Sequence, residues 1–195
     1  GLQGEKLVIK SDQEPAVIDV AKDIARLRQA DFGTALAHSA VGESDSNAHV
    51  ERAIQDVEGQ IRTMRSALED RVQQRIRLKH PIVPWMVRHA AYIITRCKIQ
   101  PDGKTAMQKM KGRRVNVPLV PFGESVLFKL PKVPNMPGDF RDGFEEGIWL
   151  GCDMRSGEHL VGRDNGVFRA ATVRRKPVDS KWSPSRIADM KGTPK

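Results

Sequence analysis

Two carboxylates stand where they could bind a divalent cation. Asp12 follows the apolar run Leu7-Val8-Ile9, which is typical of a buried strand, and Glu51 begins a long helical pattern, with thirty-eight residues between them. Carboxylate oxygens are the ligands that Mg²⁺ and Mn²⁺ prefer, and two-metal phosphoryl transfer uses them to hold the reacting phosphate. An Asp after a strand also caps helices, and a Glu on a helix often only faces solvent, so this pair alone leaves the chemistry open.

Cationic side chains are concentrated in one segment. Residues 71–114 contain twelve Lys and Arg and a single acid, Asp102, so this segment carries about +11, while the rest of the chain is close to −2. A one-signed surface of this kind attracts polyanions. It predicts contact with nucleic-acid phosphates; the alternative is a solvated helix face that binds nothing in particular. The candidate phosphate-binding residues are Arg52, Arg71, Arg75, Arg77, Lys79, Lys109, Lys111, Arg113 and Arg114.

Composition excludes several other classes of protein. The sequence has no run of eighteen apolar residues, which predicts that it does not span a membrane. Cys97 and Cys152 lie far apart without a second Cys or a paired His, so a zinc-finger spacing is excluded and no disulfide framework is indicated. Aromatic residues make up only 5%, which argues against a platform that stacks single-stranded bases.

The elements that must position the two carboxylates follow from apolar periodicity. The strand at Leu7–Ile9 is followed by a helix that begins near Pro15 and runs to about Ala30, and a second strand covers 32–37. A polar loop at 38–47 leads into a long helix, whose apolar residues recur every three or four positions over 50–68. Strands and helices therefore alternate in this part of the chain.

The second half of the chain changes character. A helix from about Pro81 carries Trp85 and Tyr92 as expected core residues, and a short basic helix covers 105–111. Prolines and glycines then punctuate short apolar runs at 126–130, 148–151, 159–162 and 167–173, which predicts a small antiparallel β module. The polar stretch after Pro177 predicts a disordered tail. The predicted regions are therefore 1–114, 115–177 and 178–195.

Two stretches around the carboxylates resemble copia-type retrotransposon integrases. Asn47-Ala48-His49-Val50-Glu51-Arg52 is similar to the Asn-Gly-x-x-Glu-Arg stretch that carries the last catalytic Glu of that family. Lys10-Ser11-Asp12-Gln13-Glu14 occupies the place of the family's strand-end Asp. The Asn-Gly that follows this Asp in the family is replaced here by Gln13-Glu14, and its Pro-Gln-Gln-Asn-Gly loop by residues 43–47.

Further matches follow in the order of the family. His89-Ala90-Ala91-Tyr92-Ile93-Ile94-Thr95-Arg96 resembles an Ala-Ala-Tyr-Ile-Ile-Asn-Arg helix, and residues 105–113 occupy the place of a Thr-Pro-Tyr-Glu segment. Phe122-Gly123-Glu124-Ser125-Val126 resembles a Phe-Gly-x-x-Ala/Val strand. Gly147-Ile148-Trp149-Leu150-Gly151-Cys152-Asp153 resembles a Gly-Ile-Phe-Leu-Gly-Tyr-Asp segment, and residues 169–173 fall where a Ser-Arg-Asp-Val strand would be. The resemblance covers residues 7–175.

The resemblance implies a fold and a reaction. The fold is α/β, a partial ribonuclease-H-like core followed by helices and a small antiparallel β module. The function is DNA integration by a polynucleotidyl transferase, with Asp12 and Glu51 as ligands of Mg²⁺ or Mn²⁺ and with the ends of the element and target DNA as partners. The intact protein would be a homo-oligomer that enters the nucleus from the cytoplasm, and Arg174-Arg175-Lys176-Pro177 is either an import signal or the basic end of a strand.

Whether this chain is itself an enzyme stays open at this point. The first catalytic Asp of the family lies on a strand well upstream of the second and has no counterpart within these residues. We therefore expect the chain alone to neither cleave nor join DNA. The alternatives are a catalytically inactive remnant that keeps the fold and binds nucleic acid, and an unrelated nuclease of the same fold.

Overall fold

The N-terminal part of the chain is a strand–helix–strand unit. The structure is a computed structural model that describes residues 5–11, 13–28, 33–38, 48–113, 120–129 and 143–194. Strands β1 (Leu7–Ser11) and β2 (Thr34–His38) pair in parallel, with Ser11 opposite His38. Helix α1 (Pro15–Leu27) forms the crossover that a parallel pair requires. The predicted order of these elements is confirmed.

Helix α1 leaves most of its apolar stripe uncovered. Pro15 lies in the first turn, where its missing N–H costs no hydrogen bond, and Ala21 is buried. The branched residues of the stripe stay open to solvent: Val20 is 58% exposed and Leu27 is 78% exposed. A sheet of two strands is too narrow to cover a whole helix face, so much of this apolar surface has no counterpart within the described residues.

Three helices follow: α2 (Ala48–Val72), α3 (Ile82–Cys97) and α4 (Ala106–Lys111). The long stripe predicted over 50–68 lies on α2, but only its C-terminal half is buried, since Val50 is 55% exposed and Leu68 is 1% exposed. Helix α4 is fixed by a capping box, in which the side chains of Thr105 and Gln108 each bind the backbone N–H of the other. All three helices agree with the sequence pattern.

A five-stranded antiparallel sheet follows the helices, in the order β6-β5-β4-β3-β7. The strands are β3 (Ser125–Phe128), β4 (Glu145–Cys152), β5 (His159–Arg163), β6 (Gly166–Ala170) and β7 (Val173–Arg175). The predicted antiparallel module is thus present, but the single strand expected at 167–173 is divided into β6 and β7. These two strands pair with different partners, β6 with β5 and β7 with β3.

The sheet is strongly curled. Strands β6 and β7 lie at opposite edges of the sheet, yet only residues 171 and 172 link them. Such a link spans at most about 11 Å between Cα atoms, whereas the edge strands of a flat sheet of this width would lie about 19 Å apart. A register shift between Trp149 and Gly151 bends β4, where Gly151 has a φ of 126°. The curl creates a concave inner face for a core.

That core joins the helices to the sheet. Leu68 of α2, Met86 of α3 and Leu150 of β4 belong to one buried cluster, which explains why α3 packs against β4. Trp85, Tyr92 and Trp149 are all at least 94% buried, as predicted for core residues. The compact units are Gly1–Asp56 and Val57–Lys195, so the division falls within α2, and residue 114, the predicted end of the first region, lies inside the second unit.

The C-terminal stretch is ordered, in contrast to the predicted disordered tail at 178–195. A 3-10 turn at 178–180 is followed by helix α5 (Pro184–Asp189), whose start is capped by Ser183. Ile187 and Met190 are buried in the core, and Trp85 Nε1–H donates a hydrogen bond of 2.9 Å to the carbonyl of Gly192. The sequence did not predict these contacts, because the stretch is mostly polar and has only a few apolar residues.

Candidate nucleic-acid interface

The structure describes one of the two predicted metal ligands. Glu51 lies in the first turn of α2 with an exposed side chain, and Asp12 lies outside the described residues. Asp12 follows Ser11, the last residue of β1, and the C-terminal ends of the parallel strands β1 and β2 meet where Ser11 pairs with His38. Ligands commonly bind at such an edge. A carboxylate at the strand end and Glu51 have the donor chemistry that Mg²⁺ prefers, and their pairing stays a prediction.

The described parts of the chain contain no group of three or more His, Cys, Asp or Glu side chains that could hold a metal ion. Asp12 lies outside these residues, so this observation does not test the predicted pair of Asp12 and Glu51.

Four of the predicted phosphate-binding residues lie together between α2 and α3. Arg71 is in the last turn of α2, and Arg75, Arg77 and Lys79 lie on the loop that follows; all four are exposed. We refer to them as the α2–α3 cluster. The Arg71 guanidinium lies 4.8 Å from the ring centre of Trp182, so this residue also has a packing role.

A half-buried ion pair fixes the loop that carries this cluster. Glu69 Oε1 accepts hydrogen bonds from Arg65 Nε at 2.9 Å and from the backbone N–H of Ile76 at 2.8 Å. Arg65 Nη2 in turn donates to the carbonyl of Ile76 at 2.6 Å. The Ile76 hydrogen bond and the nearby Arg65 lower the pKa of Glu69. Because these bonds hold Ile76 in place, the cations on either side of it project from an ordered segment.

A second group of cations lies on and after α4. Lys109, Lys111 and Arg113 are exposed, and we call them the α4 cluster; Arg114 lies outside the described residues. Lys109 Nζ is 2.9 Å from Asp102 Oδ2, which lowers the pKa of that carboxyl group. Lys109 is therefore partly neutralised, whereas Lys111 and Arg113 offer their charge to solvent.

The structure divides the predicted basic segment into two surfaces. The loop of the α2–α3 cluster directly precedes α3. A β-bridge between Ile99 and Thr105 holds the start of α4 beside the C-terminal end of α3. A helix of sixteen residues is about 24 Å long, so the clusters lie toward opposite ends of α3. Arg52 is exposed but belongs to the N-terminal compact unit.

One polar group beside α3 was not singled out from the sequence. Arg88 Nη2 lies 3.0 Å from Asp153 Oδ2, and Arg169 Nη2 lies 3.7 Å from the same oxygen. Arg88 belongs to α3, Asp153 directly follows β4, and Arg169 belongs to β6, so their meeting depends on the packing of the helix against the sheet. No local spacing in the sequence signals it.

Comparisons with known proteins assign no family to this chain. A scan against protein-family models and a search of curated proteins both find no match. The resemblance to copia-type integrases therefore rests on the sequence motifs. Within the described ranges, no helix is long and apolar enough to cross a membrane.

Proposed function

We propose that this chain is part of a copia-type integrase and that it binds the DNA backbone through the α2–α3 cluster and the α4 cluster. The observation that carries this proposal is the exposure of six cations on ordered elements of one compact unit. They are Arg71, Arg75, Arg77, Lys79, Lys111 and Arg113.

Phosphate contact fits these residues better than recognition of bases. Lys and Arg that neutralise phosphates release condensed counterions, which gives binding that depends on salt and not on sequence. The clusters lie on a loop and on a helix of six residues, α4 (Ala106–Lys111), which is too short to fill a major groove as a recognition helix does. Two cationic surfaces toward opposite ends of a helix about 24 Å long suit contact with one duplex at two places along its length.

The N-terminal elements support the finer proposal of a ribonuclease-H-like core. A parallel strand pair with a helical crossover, followed by a helix whose first turn carries Glu51, is the order that the resemblance implies. The uncovered apolar stripe of α1 suits a larger sheet than β1 and β2 alone provide. Such a core in the intact protein would be oligomeric, would act in the nucleus and would bring further elements to this unit.

Asp12 and Glu51 are the proposed ligands of Mg²⁺ or Mn²⁺ in that core. The metal would supply charge neutralisation at a phosphodiester. The family uses a third carboxylate in addition to these two, and the contribution that we propose for the described residues of this chain is DNA binding. The carboxylates themselves would contribute little to phosphate affinity without metal, because like charges repel.

Charge reversal in each cluster tests this proposal. We expect Arg77→Glu with Lys79→Glu, and separately Lys111→Glu with Arg113→Glu, to weaken binding of a fluorescein-labelled duplex of random sequence by about tenfold or more, measured by anisotropy. The matched control is Lys181→Glu with Lys191→Glu, which changes net charge equally in the C-terminal stretch. Equal weakening in all three variants would show a response to net charge alone and would contradict an interface at the clusters.

A further inference from the structure

A large cavity opens between α3 and the end of β4. Its volume is about 1030 Å³, at the upper end of the range of binding sites for small molecules and peptide side chains. Val83 of α3, Leu150 of β4 and Leu160 of β5 form an apolar floor. Among the described residues, those that line the cavity belong to the unit Val57–Lys195, and none of them belongs to the α2–α3 cluster or the α4 cluster.

The rim of the cavity exposes large apolar side chains. Leu78 is 72% exposed, and Val87 and Met154 are each 45% exposed. All three line the cavity, so the apolar surface continues from the floor to the rim. Contiguous exposed apolar surface of this kind is typical of protein–protein contact sites.

Charged groups along one side of the cavity are mainly cationic. Among the described residues that line it, the charged ones are Arg88, Arg155, Arg169 and Asp153. The Asp153 carboxylate is already engaged: Oδ1 accepts the backbone N–H groups of Arg155 at 2.9 Å and of Ser156 at 3.1 Å, and Oδ2 pairs with Arg88. Arg155 is exposed. Arg169 lies 3.7 Å from Asp153 Oδ2 and 3.8 Å from Glu158 Oε2, but its side chain is still 62% exposed, so this side of the cavity favours acidic groups.

The wall of the cavity also contains an unpaired polar atom. His89 is 4% exposed, and its Nδ1 has no hydrogen-bond partner among the described residues. Gly151, which also lines the cavity, has no side chain to cover the ring, and a Cβ there would lie 2.9 Å from Nδ1. Buried polar atoms normally have a hydrogen-bond partner, so the wall of the cavity offers His89 Nδ1 as an unused hydrogen-bonding group.

We propose that this apolar–cationic groove docks a segment of a partner protein in which large apolar side chains are flanked by Asp and Glu. The apolar floor and rim would take the apolar side chains, and Arg155 and Arg169 would pair with the flanking acids. Nucleic acid fits less well, because its protein interfaces are polar and strongly cationic, whereas this floor is apolar and Asp153 stands among the arginines. The proposal does not depend on the function proposed for the basic clusters.

Synthetic peptides test the chemistry of the occupant. The probe is a short fluorescein-labelled peptide with Leu and Trp among Glu and Asp. One control peptide has Lys in place of the acids, and another has Ser in place of Leu and Trp. By anisotropy, we expect the probe to bind at least about tenfold more tightly than either control, a difference of about 1.4 kcal/mol. Equal binding of the probe and the Lys-containing peptide would overturn the proposal.

Variants of the protein locate the binding. We expect Val87→Glu, Met154→Glu and Arg155→Glu each to weaken probe binding by about tenfold or more. Each alters an exposed side chain, and circular dichroism shows whether the fold is kept. The matched control is Val178→Glu, since Val178 is 74% exposed and does not line the cavity. If Val87→Glu binds the probe as strongly as Val178→Glu does, the proposal is contradicted. It is also contradicted if Val87→Glu, Met154→Glu and Arg155→Glu weaken binding of duplex DNA more than binding of the probe.

Discussion

Arg175 forms a two-pronged ion pair with a fully buried carboxylate, that of Glu124. Arg175 Nε donates to Oε1 at 2.7 Å and Nη2 donates to Oε2 at 2.8 Å. Glu124 is 0% exposed, whereas the Arg175 side chain is 47% exposed. The pair fixes β7 to the turn before β3, so an edge strand of only three residues is held by side chains as well as by its ladder.

We predict that Arg175→Ala lowers the free energy of unfolding by about 3–5 kcal/mol, because it leaves the Glu124 carboxylate buried without its partner. Urea unfolding followed by tryptophan fluorescence measures this change. Arg175→Ala combined with Glu124→Leu should recover much of the loss, since the double variant removes both charges. The control is Lys191→Ala, which removes an exposed cation elsewhere. If Arg175→Ala is as stable as this control, the stabilising role of the Arg175–Glu124 pair is contradicted.

The same pair shows a limit of sequence reasoning. Arg175 lies in the run Arg174-Arg175-Lys176-Pro177, which fits either an import signal or a strand end. The structure gives this run local contacts: Arg175 binds Glu124, and Lys176 Nζ lies 3.0 Å from Glu146 Oε1. A side chain held in this way is less available to a receptor. Partners fifty-one residues apart cannot be inferred from one sequence, because no local period links them.

His89 predicts a dependence of stability on pH. Burial lowers the pKa of His89 from 6.5 to about 4. The unfolded chain therefore binds a proton more readily than the folded chain between these values, so the contribution to stability is present above pH 6.5 and is lost as the pH falls toward 4. The loss amounts to about 3 kcal/mol.

Urea unfolding between pH 7.5 and pH 4.5 checks this prediction. We expect His89→Phe, which keeps a ring beside Tyr92 and Phe122, to show a flatter decline than the parent chain. The comparison is needed because burial also lowers the pKa of His159, which acts in the same direction. If the free energy of unfolding falls equally with pH in the parent chain and in His89→Phe, protonation of His89 is not the cause of the decline.

Order in the C-terminal stretch is the basis of a third prediction. Ile187 is 4% exposed and Met190 is 2% exposed, so Ile187→Ala should cost about 2–5 kcal/mol of stability. Ala188→Ser, at an exposed position of the same helix, should cost less than about 1 kcal/mol. Thermal unfolding of the two variants measures these losses of stability. If Ile187→Ala costs as little as Ala188→Ser, the C-terminal stretch does not stabilise the fold.

Local periodicity was enough to predict most helices and strands before residue 178, but it did not predict how they assemble. The stripes of α2 and α3 and the apolar runs of the sheet are local signals, and the structure has these elements close to their predicted positions. The division at 167–173 could not be foreseen, since β6 and β7 separate only because their partners lie at opposite edges. Ile187 and Met190 were overlooked because two apolar residues in a polar stretch form no period.

The sequence predicted which segment is cationic, but it did not predict how the cations of that segment are arranged in space. Counting Lys and Arg identifies the segment 71–114, and the exposure of the α2–α3 cluster agrees with that count. The separation of the two clusters depends on the length of α3 and on the bridge from Ile99 to Thr105, and the pairing of Lys109 with Asp102 depends on a turn. The carboxylate pair stays a prediction, since Asp12 lies outside the described residues.

The salt dependence of duplex DNA binding by the unaltered chain tests the central claim most directly. If the six exposed cations of the two clusters contact phosphates, the logarithm of the association constant should fall linearly with the logarithm of salt concentration, with a slope of about −5 and with the same slope for unrelated sequences. A slope near zero, or binding confined to one sequence, would contradict a phosphate-binding interface at these clusters.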